Sequence, residues 1–286
     1  MLGLSACCHR DEASADEATS EAAEIQRTHL RKGAFSDCHA DPVGPARNDS
    51  KGGSGRSMIA LGIDVSIKRG LDLVWLDEKR QIVGREERVR LEDVPALLAS
   101  RPDIIAIDSP PAWAPEGSRR QTEIEIWRIG LQLFPTPSKG SRSTKGADAW
   151  METGMAVFKA VEGLGFCLFS GDGFESTAIE VFPHASAVVL SGGLPPAGVT
   201  LKHPKAKAAW RAGVLACQGV ASHLLTTLDE IDAALAALTG LYALAGEGGW
   251  RGIPSEGVIV LPCRSERLAA RYFRKESEAW RQTTST

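Results

Sequence analysis

From Met58 onward the apolar residues of this chain arrive in short runs whose order leaves few folds open. Ile59–Val65, Asp72–Asp77 and Gln81–Val89 read as three consecutive strands, with Asp77-Glu-Lys-Arg80 as the turn between the last two. A helix over Leu91–Ser100 follows, opened by Glu92 and Asp93, whose charges suit a helix N-terminus. Asp103–Asp108 is then apolar along its length, as expected of a parallel strand covered on both faces. Ser109-Pro-Pro-Ala-Trp-Ala-Pro115 ends regular structure there. Helices are predicted over Arg120–Leu133, Asp148–Gly163, Ala185–Leu190, Lys205–Cys217 and Leu228–Ala245, and strands over Phe166–Phe169, Thr177–Phe182 and Val258–Leu261.

Three antiparallel strands, a helix, a parallel strand, and then helices alternating with strands is the order of a ribonuclease H-like α/β fold. Its mixed five-stranded sheet has three antiparallel strands followed by parallel ones, flanked by helices and here carrying helical insertions. A right-handed crossover would bring the fourth strand beside the first, setting Asp64 near Asp108 at the sheet's carboxyl edge.

Carboxylates stand in four of the apolar segments: Asp64, Asp108, Glu180 and Asp232. Burying a carboxylate is costly unless something pairs it. Alone, Asp108 before Ser-Pro-Pro reads equally well as a turn residue, and Asp232 as a first-turn helix residue. Glu180, between Ile179 and Val181, is harder to place, because Glu is depleted in strands. Hard oxygen donors from neighbouring strand ends and a covering helix are what a pair of Mg²⁺ or Mn²⁺ ions at a phosphodiester requires. The four residues are therefore the candidate catalytic and metal-ligating set, with two ions expected.

The motifs Gly62-Ile-Asp-Val65, Ala106-Ile-Asp-Ser-Pro110, Ile179-Glu-Val-Phe-Pro-His184 and Asp232-Ala-Ala-Leu-Ala-Ala237 resemble those of the family catalogued as domain of unknown function 429. That family is described as a predicted nuclease with a ribonuclease H-like fold. The resemblance spans about Met58 to Arg264 and implies that the acidic positions fall on Asp64, Asp108, Glu180 and Asp232. It also implies a Lys followed by an Arg on the helix between the third and fourth motifs, matched by Lys205 and Arg211.

The basic candidates for substrate binding are Lys205, Arg211, Arg120, Lys139 and Arg142, the last two on the Gly/Ser-rich insertion Pro135–Gly146. Lys202 and Lys207 add to a modest basic patch. His184 is a candidate proton shuttle, weighed against a packing histidine. Trp113 is weighed as a base-stacking residue against packing, and the remaining tryptophans read as core or tail anchors.

Residues 1–57 read as a disordered extension and linker, 58–263 as the folded domain, and 264–286 as a basic tail for which a helix is one reading. Cys7, Cys8, His9, Cys38 and His39 fit no common zinc spacing. With six cysteines in 286 residues and no CxxC pair, a disulfide framework is not expected. No apolar run reaches membrane-spanning length, so a cytoplasmic protein without a membrane partner is expected. A net charge of −3 argues against a strong non-specific DNA binder.

The leading functional expectation is a metal-dependent nuclease acting on DNA or RNA. Two alternatives stand beside it: a single-domain nucleotide-binding phosphotransferase of the same fold, and a non-catalytic scaffold that binds nucleic acid or protein.

Overall fold

The computed structural model describes residues 57–141, 148–197, 199 and 203–274. The readings for residues 1–56, Arg142, Lys145, Lys202 and the tail beyond Arg274 lie outside the described residues.

The first three apolar runs form β1 (Ile59–Ser66), β2 (Gly70–Asp77) and β3 (Ile82–Val89), paired antiparallel in sequence order. The predicted helix over 91–100 is broken into two 3₁₀ turns around one short α-turn, α1 (Val94–Leu97), where Pro95 supplies no backbone N–H. β4 (Ile104–Asp108) then lies parallel to β1. After α2 (Gln121–Arg128) and α3 (Ala149–Glu162) come the two-residue β5 (Cys167–Leu168), β6 (Thr177–Val181) and α4 (Pro183–Ser191). The chain continues through α5 (Pro204–Cys217), α6 (Leu228–Leu244), β7 (Gly249–Ile253) and β8 (Gly257–Leu261).

The sheet has eight strands rather than five, in the order β3-β2-β1-β4-β6-β8-β7, with β5 alongside β6. Antiparallel strands precede parallel ones, consistent with the ribonuclease H-like arrangement. Strand β7 has no counterpart among the sequence expectations. Its Gly249-Trp-Arg-Gly-Ile253 carries two glycines and no alternation, and it exists by pairing antiparallel with β8 at the sheet edge. Helix α2 stops at Arg128 rather than Leu133, because Gly130 turns left-handed (φ 91°) and Leu131 N–H closes back on Ile126.

Each face of the sheet has its own core. Ala60, Ala106, Ile179 and Val181 look toward α4, α5 and α6, whereas Leu61, Ile63, Ile105 and Ile107 look toward α3. Helix α6 is buried on all sides from Asp229 to Ala243. Its Ala233, Ala234, Ala236, Ala237 and Gly240 let it lie close on β1 and β4, while Leu235 and Leu238 fill the space around it. Each such leucine contributes roughly 1.5–3 kcal/mol. The helix starts with a reciprocal capping box between Thr227 and Glu230.

The described part of the C-terminal segment has only a 3₁₀ turn, Ser265–Arg267, and no α-helix. It packs back on the domain through buried Leu268 and Tyr272, with Tyr272 N–H donating to Ile129 C=O (2.8 Å).

Candidate acidic site

Parallel pairing of β1 with β4 puts Asp64 directly opposite Asp108, on strands about 4.8 Å apart. Both share the parity of Ala60 and Ala106, so they face α6. Gly62, two residues before Asp64, is where the helix comes closest: a Cβ built there would stand 1.9 Å from Ala233 O and 2.4 Å from Ala237 N. Only glycine permits that approach, and the approach brings Asp232, beside Ala233, to the two strand-end aspartates. Asp72, opposite Asp64 on β2, and Asp229, at the start of α6, complete an acidic surround. Asp72 accepts a hydrogen bond from Arg88 N–H (2.9 Å) at a left-handed bulge residue, and Asp229 is ion-paired with Arg69.

This crowding shows in the acid strengths. Burial, then Asp108, Asp232, Asp229 and Asp72 push the Asp64 carboxyl well above the usual range. Asp108 is pushed up to about 8, by burial and then Asp232, against the opposing pull of Arg211 and Lys207. Asp232 is raised by burial and held back by the same two cations. Asp64 and Asp108 keep a partial opening to solvent along the sheet edge. Negative charge exceeds positive here, and no described side chain donates a hydrogen bond to either of them.

The cations come from α5. Arg211 is buried and ion-paired with Asp232, and its Nε has no hydrogen-bond partner. Lys207 is half-buried in the field of Asp232, Asp108 and Asp64, while burial and Arg211 lower its pKa. Lys205 is exposed. Lys207, one helical turn before Arg211, is thus the lysine that faces the carboxylates. The i, i+4 spacing is the sequence signal for it, whereas residues six apart fall on different faces. His184, at the start of α4, packs between Phe182 and Trp210 with ring centroids 5.8 and 5.9 Å away. Burial, Arg211 and Lys207 hold it neutral, with a pKa of about 3.

Glu180 is placed differently. On β6 it pairs with Ile107, not Asp108, so by parity it points to the sheet face opposite Asp64 and Asp108. There Arg120 grips it with both terminal guanidinium nitrogens, at 2.7 and 2.6 Å. Arg120, only 1% exposed, also donates from Nε to Glu123 (3.0 Å). The other Glu123 oxygen accepts from Arg120 N–H and Thr136 N–H. Arg120 is therefore placed as a buried tie between two carboxylates, away from any open surface. Glu180 remains near enough to raise Asp108 slightly.

The described part of the basic insertion is anchored to the loop after Asp108: Ala114 N–H donates to Pro137 C=O (3.1 Å) and Ser138 N–H to Gly117 C=O (2.9 Å). Lys139 is exposed at its turn, and Trp113 is half-buried. Trp127 is 57% exposed, not a core anchor.

Among the described residues no three His, Cys, Asp or Glu side chains are gathered closely enough to hold a metal ion as they stand. The donor chemistry nevertheless fits a hard divalent cation. Asp64 and Asp108 are oxygen donors in register, their protonation favoured by surplus negative charge, and Asp232 is a third donor shared with Arg211. No helix among the described residues is long and apolar enough to cross a membrane.

No curated protein and no solved structure matches the chain. The sequence profile of the family described as "Protein of unknown function (DUF429)" matches residues 62–259, from the Gly-Ile-Asp of β1 to the middle of β8. That is well over half of the sequence, and the chain belongs to the DUF429 family.

Proposed function

We propose that the protein is a divalent-metal-dependent phosphodiesterase that hydrolyses nucleic acid. The observation that carries this reading is the in-register pair Asp64–Asp108, under-neutralised and open at the sheet edge, with Asp232 delivered by α6. Asp64 and Asp108 would hold the first Mg²⁺ or Mn²⁺ ion, and Asp232 would join in holding a second through Oδ2, the oxygen that Arg211 does not hold. Bound ions would supply an activated water and a counter-charge for the leaving oxygen. The chain's own part is to orient. Arg211 fixes the Asp232 carboxylate, and Lys207 offers an ammonium to a phosphate oxygen over the same carboxylates. His184, neutral and packed, supports the α4–α5 contact rather than carrying a proton near pH 7.

The test is calorimetric titration of Mn²⁺ into the protein and its Asp64→Asn variant, with hydrolysis of mixed DNA and RNA measured in parallel. The expected result is binding by the parent protein, lost together with hydrolysis in the variant, while thermal unfolding stays intact. Hydrolysis that persists in Asp64→Asn, or a parent that neither binds Mn²⁺ nor cleaves, would overturn the reading.

A further inference from the structure

A cavity of about 260 Å³ opens along α2, lined by Arg119, Glu123, Trp127, Gln132, Leu133 and Pro135. Arg119, Glu123 and Trp127 follow one another at four-residue intervals, which lines them up along one side of α2 and its entry. Leu133 and Pro135 form an apolar wall, and Phe134 between them is 71% exposed.

We propose that this cavity is a nucleobase subsite for single-stranded nucleic acid, resting on the phosphodiesterase reading above. An exposed indole offers a stacking face that every base can use. The Gln132 side-chain amide carries both a donor and an acceptor for a base edge. Arg119 is exposed at the mouth, suited to a backbone phosphate, with Glu116 the exposed opposing charge on the same loop. Glu123 does not repel the ligand as a free acid, since Arg120 and two backbone N–H groups satisfy its oxygens. An exposed tryptophan over an unfilled cavity costs solvation and adds nothing to the core, which sets Trp127 apart from the packed tryptophans Trp75 and Trp210.

Position links the cavity to the chemistry. Glu123, at the cavity wall, holds Arg120, which grips Glu180 on the strand next to Asp108. A strand whose phosphate lies over Asp64 and Asp108 would cross the sheet's carboxyl edge toward α2 and set a base further along its length against Trp127. The anchored segment 135–141 supplies Pro135 to the cavity wall and carries the exposed Lys139.

The experiment measures fluorescence anisotropy of labelled oligothymidylate and oligouridylate with the full chain in EDTA, where metal-dependent hydrolysis is silent. Trp127→Ala is expected to raise Kd by roughly 5- to 150-fold, the range that loss of one stacked base gives. Trp127→Phe, which keeps a ring, is expected to stay within a few-fold of the parent, and Arg119→Ala to weaken binding and flatten its salt dependence. The two oligonucleotides distinguish DNA from RNA. Equal binding by the parent and Trp127→Ala, or no binding of either oligonucleotide by the parent, would overturn the subsite. Trp127-dependent binding without cleavage in Mn²⁺ would leave the subsite standing and overturn the phosphodiesterase reading. Cleavage unaffected by Trp127→Ala, with unchanged binding, would do the reverse.

Discussion

Replacing Gly62 with alanine adds one methyl group, and the structure fixes where it goes. The new Cβ would stand 1.9 Å from Ala233 O, 2.4 Å from Ala237 N and 3.0 Å from Ala233 C, all backbone atoms of α6. No side-chain rotation relieves such a contact. The helix must retreat by at least about 1.1 Å merely to bring the shortest approach to 3.0 Å. It is buried along its length between the sheet and helices α4 and α5, so a retreat strains three interfaces together. Overpacking of this kind costs about 1–3 kcal/mol, and backbone contact on the closest side argues for the upper end. For a domain of this size, about 3 kcal/mol lowers Tm by roughly 6–12 °C. Thermal and urea unfolding followed by circular dichroism measure this directly. Gly140→Ala is the control, because a Cβ there meets nothing within 4 Å. The retreat also carries Asp232 away from Asp64 and Asp108, so Mn²⁺ binding should weaken along with stability. A Gly62→Ala protein melting within 2 °C of the parent (below roughly 1 kcal/mol) would refute the close-approach argument for how the acidic site is assembled.

Two further outcomes follow from the buried charges. Arg120→Met leaves Glu180 and Glu123 buried without their counter-ion and should cost about 3–5 kcal/mol in urea unfolding. Arg120→Lys should recover little, since one ammonium cannot replace a fork bonded to two carboxylates, and a full rescue by lysine would contradict the bidentate geometry. His184 titrates near 3 when folded against an ordinary 6.5, so between those values the unfolded chain takes up a proton that the folded one refuses. Its contribution to stability is therefore complete above pH 6.5 and falls away as pH drops toward 3. Urea midpoints at pH 7 and pH 5 should diverge less in His184→Gln than in the parent; equal divergence would show that the imidazole is not held neutral.

Much of this was legible in the sequence, for reasons that particular residues make plain. The runs ending at Asp64 and Asp108 are long, apolar and separated by a crossover, and the handedness of such crossovers sets the two strands side by side. Asp232 needed more, because its place depends on how closely α6 approaches. The small residues of Asp232-Ala-Ala-Leu-Ala-Ala237 and the glycine at 62 carry that information only once the partner element is known. Glu180 was out of reach of pattern reading. A strand's direction and neighbours do not fix its register, and a shift of one residue moves every side chain to the other face. β6 pairs Glu180 with Ile107, which sends its carboxylate to Arg120. Trp127 was hidden for a related reason. The helix that bears it was expected to run to Leu133, and its early stop at Gly130 folds Leu133 and Pro135 back beside the indole.

The two sides of the sheet's carboxyl edge differ in how they settle their charge, and that difference bears on function. On the α2 side, Glu180 and Glu123 receive a guanidinium and two backbone N–H groups, so every buried carboxylate there is satisfied by the chain itself. On the α6 side, Asp72 and Asp229 each have a partner and Asp232 shares Arg211, while Asp64 and Asp108 have no hydrogen-bond donor among the described residues. A fold under selection for stability alone would remove one of two unpaired neighbouring carboxylates, since each raises the cost of ionising the other. Keeping both makes physical sense if something outside the chain supplies the missing positive charge, and a hard divalent cation is the partner whose chemistry matches two aspartates in register. The satisfied side then acts as a rigid shoulder: Arg120 locks β6 to α2, the helix whose side and entry present Trp127 and Arg119 to the cavity. A ligand with a phosphate to meet the cation and a base to meet the indole would use both sides of the edge at once.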